Sequence, residues 1–213
     1  MNKEKVTKIF KRFQKQRPAP KTELEYINEF TMLVAVVLSA QATDKGVNKA
    51  TPALFKAAPT PEKMEALGIE GIKKYIKTIG LFNAKARNVY LLSKMLVEQY
   101  GSIIPADRDE LQKLPGVGRK TANVVLNCAF GQSTMAVDTH IFRVSNRIGL
   151  AKSKNPLQTE EQLMKVIPEE YLFNAHHWLI LHGRYTCVAR RPKCYECIIV
   201  DLCEFKDKNL DRP

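Results

Sequence analysis

Four cysteines crowded into 17 residues, Cys187, Cys194, Cys197 and Cys203, constrain this chain more than any other feature. Their spacing is C-x6-C-x2-C-x5-C, while the fifth cysteine, Cys128, stands alone in an apolar helical stretch. Four thiolates so close in sequence can wrap one metal centre without help from the rest of the fold. Two centres suit that donor set, a structural zinc ion and a [4Fe–4S] cluster. Zinc sites usually pair two C-x2-C knuckles. One knuckle with wider, unequal flanks tilts the choice toward iron–sulfur. Cys128 reads as a core residue.

Charge narrows the partners. Thirty-four Lys and Arg against 22 Asp and Glu leave a net +12 on 213 residues, a balance that attracts phosphate and releases its counterions on binding. The first two metal-binding positions enclose Val188-Ala189-Arg190-Arg191-Pro192-Lys193. Arg190, Arg191 and Lys193, clamped between ligands, read as a preformed phosphate-binding surface. The N-terminal segment carries seven Lys or Arg against one Glu but has no apolar core or cleavage-like site, so it is not a secretory signal. The most apolar run, Thr31 to Ala40, is half the length of about 20 residues that a membrane span needs. The expected setting is cytoplasmic and nucleoid-associated, without a membrane, where disulfides are an unlikely use of the cysteines.

Helix signals run from end to end. Val6, Ile9, Phe10 and Phe13 recur at helical spacing in a short amphipathic helix, which Pro18 and Pro20 separate from the next helical segment. Asn28 precedes the apolar stretch from Phe30 to Leu38, and Thr60-Pro61 places an N-cap before a proline at the first helical position. A periodic segment opens at Asn83 and stops at Gly101. Asp107 with Glu110, and Thr159 with Gln162, form capping-box pairs. Pro168 starts a segment running through Trp178 to Gly183. Strand alternation is absent. The expected class is all-α, roughly ten helices, with a seam at Gly131-Gln132-Ser133-Thr134.

Between two helical stretches lies Leu114-Pro115-Gly116-Val117-Gly118-Arg119-Lys120-Thr121-Ala122. Glycines in alternation permit a tight turn that feeds the positive end of the next helix, a terminus ready for phosphate. The G-x4-G-K-[ST] spacing of a P-loop is absent. The pattern is a helix–hairpin–helix, with Gly116, Val117, Gly118 and Arg119 expected against DNA. Lys120, in the first turn of the second helix, could bind phosphate or act as a nucleophile. An amine that attacks a sugar carbon can go on to form an imine. Eighteen residues later, Asp138 could cap the next helix or stabilise the oxocarbenium character of a breaking glycosidic bond.

Five segments carry a resemblance over essentially the full length. They are VLSAQATDKGVNKAT (Val37 to Thr51), IKTIGLFNAKA (Ile76 to Ala86), LPGVGRKTANVVLN (Leu114 to Asn127), AVDTHIFRVSNR (Ala136 to Arg147) and HHWLILHGRYTC (His176 to Cys187). With the four cysteines, in this order, the chain resembles the helix–hairpin–helix DNA glycosylase superfamily and, within it, the endonuclease III family. That resemblance implies two helical domains with a DNA-binding cleft between them. One is a six-helix domain, residues 22–132, containing the hairpin. The other joins 1–21 to 133–213 and carries a [4Fe–4S] cluster held by Cys187, Cys194, Cys197 and Cys203. It also implies Lys120 as Schiff-base nucleophile, Asp138 as catalytic carboxylate, and Gln41 and Leu81 as residues that enter the duplex where the damaged nucleotide leaves.

The expected activity is that of a monomeric, bifunctional glycosylase and abasic-site lyase acting on double-stranded DNA with oxidised pyrimidines or abasic sites. A lesion nucleotide leaves the stack, Lys120 attacks C1′ as the base departs, and β-elimination through the imine cuts the strand on the 3′ side. Two other readings compete. A monofunctional adenine glycosylase resembles this chain in hairpin and cluster, but lacks the lysine and carries an extra C-terminal domain, whereas this chain stops ten residues after Cys203. A metal-stapled DNA-binding module would give no reason for Lys120 and Asp138 together.

Overall fold

Capping side chains and prolines divide the chain into ten α-helices and one 3₁₀ turn, with no strand, among the residues described, 1–211 of a computed structural model. The first helix, α1 (Lys3–Gln16), starts where Asn2 Oδ1 accepts a hydrogen bond from Lys5 N at 2.9 Å. It ends before Pro18, and Trp178 Nε1 donates to Arg17 O at 2.8 Å. Val6, Ile9, Phe10 and Phe13 are all buried, as the spacing predicts. Each such side chain contributes about 1.5–3 kcal/mol on leaving water.

The chain forms two compact units. The unit Thr22–Gln132 holds α2 (Glu29–Ser39), α3 (Asp44–Ala57), α4 (Pro61–Ile76), α5 (Phe82–Tyr100), α6 (Arg108–Lys113) and α7 (Arg119–Phe130). Helix α2 is apolar all round and buried from Phe30 to Leu38, the pattern of a core helix. A complete capping box opens it: Asn28 Oδ1 accepts from Thr31 N, and Thr31 Oγ1 accepts from Asn28 N, both at 2.9 Å. Helix α4 carries the Thr60 cap and Pro61 as expected, but is kinked at Gly68, where φ is 63°. Helix α5 closes on Gly101 at φ 56°.

Three helix starts differ from the sequence reading. Helix α5 opens at Phe82 behind a left-handed Leu81, one residue before Asn83. Asp107 caps α6 through bonds from Asp109 N and Glu110 N, but the Glu110 carboxylate turns away to Tyr100 Oη at 2.9 Å and Lys113 Nζ at 2.6 Å, so the box is half made. Thr159 and Gln162 do not start a helix. Asn155 and Pro156 do, four residues upstream, and Thr159 is buried with its hydroxyl 2.6 Å from Ser153 Oγ. Gln162 instead accepts from Lys152 N at 2.8 Å.

The second unit, Met1–Lys21 with the chain from Ser133 onward, holds α1, α8 (Thr139–Ile148), α9 (Pro156–Val166), α10 (Glu169–Tyr185) and the 3₁₀ turn Cys194–Glu196. Its core gathers α1, α8 and α10 around an aromatic group in which the Phe10 ring lies 5.9 Å from Tyr171 and 6.2 Å from Trp178. Helices α8 and α10 pack closely enough to need Gly183, where a Cβ would come within 2.9 Å of His140 Cβ and 3.0 Å of Val144 Cγ2. Among the described residues, no helix is long and apolar enough to cross a membrane.

His177 is buried in α10, and burial pushes its imidazole down to about 4. An unfolded histidine titrates near 6.5. Between these values the unfolded chain binds a proton that the folded one does not, so stability falls as pH drops. The expected loss from this group reaches about 3 kcal/mol by pH 4. Urea unfolding from pH 7 to 4.5 should show a shallower decline for His177→Gln than for the wild type; parallel curves would assign the loss to other groups.

Candidate nucleic-acid interface and cysteine site

The hairpin between α6 and α7 is built by its backbone. Leu114 ends the first helix, Val117 N donates to Leu114 O at 3.0 Å, and Gly116 sits at φ 81°. A Cβ on Gly116 would lie 3.0 Å from Asn88 Cβ and Nδ2, so glycine is required there twice, by φ and by the close approach of α5. Gly118 is the N-cap of α7 and makes no side-chain cap bond. The first-turn N–H groups and the positive end of the helix are thus left without a side-chain acceptor. Lys120, the second residue of α7, is exposed, as are Gly116 and Gly118, and Arg119 is half-buried. Val117 departs from expectation. Its side chain is buried and its N–H is used in the turn, so it shapes the hairpin and offers no surface of its own.

Gln41 and Leu81 share a second, independent property. Both adopt left-handed backbone, with φ of 54° and 60°, and both are exposed. For non-glycine residues that conformation costs on the order of 1 kcal/mol. Among the described residues, four non-glycines have positive φ, and Arg191 in the cysteine loop is a third, at 50°. The fourth, Ser102, has a local reason: its N–H closes the end of α5 on Leu96 O at 2.9 Å.

Asp138 is the N-cap of α8, its Oδ1 accepting from Ile141 N at 2.8 Å. The cap uses one oxygen, so the observed role leaves the carboxylate charge available for chemistry. Farther along the same helix, two arginines hold the cysteine loop. Arg143 donates to Cys187 O at 3.1 and 3.2 Å and to Gly183 O at 2.8 Å. Arg147 donates to Val188 O at 2.8 Å and Ala189 O at 2.9 Å, and its guanidinium lies 4.8 Å from the centre of the Phe205 ring. Sequence reasoning gave these two arginines no role. Their spacing of four residues on a strongly amphipathic helix was visible, but their acceptors lie some 40 residues away.

Cys187, Cys194, Cys197 and Cys203 line one cavity, bounded also by Ile148, His182 and Ile199. Among the described residues no three His, Cys, Asp or Glu side chains gather tightly enough to hold a single metal ion. Burial pushes the Cys197 thiol up to about 11 and raises Cys203 as well. Such thiols keep their protons unless a cationic centre displaces them. Nitrogen atoms already approach the sulfurs: Arg147 Nη1 lies 3.7 Å from Cys187 Sγ and His182 Nε2 lies 3.8 Å from Cys197 Sγ. Cys128 is not among the cavity's lining residues; it is half-buried in α7, its thiol pushed up to about 12 by desolvation. Arg190 and Arg191 are exposed, whereas Lys193 is paired with Glu196 at 3.4 Å.

Hairpin, basic loop and cysteine cavity define a class, and comparison with known proteins agrees. Residues 34–169 match the sequence model of the HhH-GPD superfamily base excision DNA repair protein. The chain is 57% identical to endonuclease III of Haemophilus influenzae and 58% identical to that of Escherichia coli K12, each over 208 residues, covering 98% of this chain and 99% of the relative. It superposes on the solved structure of a trapped endonuclease III–DNA covalent intermediate, an estranged-adenine complex, with a TM-score of 0.89 at 45% identity and 96% coverage of both chains. The chain belongs to the endonuclease III family of the HhH-GPD superfamily.

The clamp on the cysteine loop is open to a direct check. Arg147→Ala removes two of the donors that fix Val188 and Ala189. Trypsin should then cut after Arg190 faster than in the wild type, read by timed digestion and mass spectrometry; an unchanged cleavage rate would show that other contacts hold the loop.

Proposed function

We propose that this chain is a bifunctional DNA glycosylase and abasic-site lyase of base excision repair, removing oxidised pyrimidines from duplex DNA and cutting the strand 3′ to the resulting site. The family supplies the class of activity, and a related solved structure holds endonuclease III covalently joined to DNA. The observation that carries the residue assignment is Lys120, exposed in the first turn of a helix whose N-terminus has no side-chain cap. Exposed N–H groups and a helix dipole at that turn favour a phosphate nearby. Such a contact would bring a sugar within reach of the amine.

The chemistry follows from these groups. A damaged base stacks and pairs poorly, which lowers the cost of extruding its nucleotide. The Lys120 amine, as free base, attacks C1′ while the C1′–N bond breaks and the base leaves with a proton. The Asp138 carboxylate stabilises the positive charge that develops on the sugar. Ring opening gives an imine between Lys120 Nζ and C1′, whose electron demand acidifies the C2′ hydrogen. Loss of that proton expels the 3′ phosphate by β-elimination, and water releases the lysine. Gln41 and Leu81, exposed on left-handed turns, would fill the space in the duplex, and the Gly116–Arg119 hairpin with Arg190, Arg191 and Lys193 would hold backbone phosphates.

The four cysteines would hold a [4Fe–4S] cluster. All four line one cavity, and arginine and histidine nitrogens stand beside two of the sulfurs. When bound, the cluster supplies a fixed cationic core that keeps the thiolates deprotonated and the basic loop in shape. Residues 22–132 form one domain in this reading and residues 1–21 with 133–213 the other, a division supported by the two compact units. The enzyme acts as a monomer on the nucleoid in the cytoplasm, consistent with its net charge of +12.

Borohydride tests the proposal. With a duplex containing a ring-saturated thymine, the wild type should yield a reduced covalent adduct that Lys120→Ala loses. Free base without an adduct would indicate a monofunctional enzyme, and neither product a binding module. Asp138→Asn separates cap from catalyst, because asparagine caps as well as aspartate. Its unfolding free energy should change by less than about 0.5 kcal/mol while excision slows by roughly a hundredfold or more. Purified protein should be brown with broad visible absorbance; a colourless, zinc-loaded protein would overturn the cluster.

A further inference from the structure

Lys85 stands in the first turn of α5 with 5% of its surface exposed, and its Nζ has no hydrogen-bond partner. A buried ammonium carries three donors and a full charge, and native folds rarely leave such a group unsatisfied. Burial holds it below the usual lysine range, which measures how poorly the free protein accommodates the charge. Nothing in the chemistry above uses it.

Its position suggests what completes it. Lys85 N donates to Leu81 O at 3.1 Å, so the residue lies one turn behind the exposed, left-handed Leu81. Three residues on, Asn88 is the side chain that a Cβ on Gly116 would strike at 3.0 Å. Residues three and four apart share a helix face. The amine therefore belongs to a stripe on α5 that begins at the Leu81 loop and ends under the hairpin. Helix α5 itself starts without a side-chain cap, adding free N–H groups and the positive end of a 19-residue helix to the same place. A base edge offers only partial negative charge, whereas a phosphate offers a full one and suits lysine as a point charge.

We propose that Lys85 is a phosphate-binding residue, whose unpartnered ammonium, closed off from solvent in the free protein, swings outward to take a backbone phosphate of the duplex between the Leu81 loop and the hairpin. This rests on the reading of the chain as an enzyme of duplex DNA. Binding turns an unsatisfied buried cation into a charge-assisted hydrogen bond. The contact therefore strengthens the complex more than an exposed lysine would.

The test uses a duplex with a tetrahydrofuran abasic analogue, which has no C1′ hydroxyl and cannot form the imine. Wild type, Lys85→Met and Lys85→Arg are titrated across salt concentrations. Lys85→Met should bind roughly tenfold more weakly at low salt, with the slope of log K against log salt shallower by about 0.9. Lys85→Arg should keep the wild-type slope. In thermal unfolding, Lys85→Met should be no less stable than the wild type, because a buried unpaired charge is gone; that separates lost binding from lost fold. A wild-type slope in Lys85→Met overturns the inference, even if affinity falls, since the amine would then meet an uncharged part of DNA. A wild type that ignores the duplex overturns the reading of the chain as a DNA enzyme instead.

Discussion

Two guanidinium groups on one helix hold the loop that opens the cysteine-bearing segment. The segment from Cys187 to Lys193 has no regular secondary structure, so its carbonyls need donors from elsewhere. Arg143 and Arg147 supply them, reaching Cys187 O, Val188 O and Ala189 O from α8. Planar, always charged and with several donors in a fixed fork, arginine can bridge successive carbonyls where lysine cannot. The residue just before that helix is Asp138. One rod of ten residues thus bears a carboxylate at its N-terminus and fixes a loop of cations beside the cysteine cavity. A shift of either end has to be transmitted or absorbed by the other.

Close packing makes the rod stiff. Gly183 lets α10 approach α8 to a distance that any side chain would forbid, and Val144 and His140 fill the space. Ile141, Val144 and Ile148 lie in the aromatic core with α1, itself tied down by the bond from Trp178 Nε1 to Arg17 O. Interiors packed at crystal-like density transmit strain. Small displacements at the loop are therefore not lost in a soft core.

Much of this was legible in the chain, for identifiable reasons. Caps are local, and Asn28, Thr60 with Pro61, and Asp138 start helices because their side chains satisfy N–H groups two or three residues away. The same local grammar also misleads. Thr159 and Gln162 imitate a capping box, yet Asn155 and Pro156 are the actual start, and Thr159 faces the interior to meet Ser153. Tertiary roles left no such mark. Nothing near Arg143 or Arg147 announces carbonyl acceptors in a distant loop. The left-handed backbone of Leu81 has no residue signature either, since leucine is a poor choice for it. The place of Lys120 in the first turn was legible from the hairpin, but its chemistry comes from resemblance, because an exposed lysine at a helix start is also what a simple phosphate contact looks like.

Strain gives that last ambiguity some physical content. Glycine at position 81 would relax the backbone by on the order of 1 kcal/mol, and the chain keeps leucine, 61% exposed to water. The same holds at Gln41 and Arg191, while Ser102 is accounted for by helix termination. A strained backbone has few alternative wells, so the side chain it carries projects in one direction and loses little freedom on binding. An apolar side chain held out this way has no use in the free protein. Under the proposed function it has one, because a wedge that enters a base stack must already be rigid when the duplex arrives. The conformational cost is then met during folding, and the binding energy remains for extruding the nucleotide.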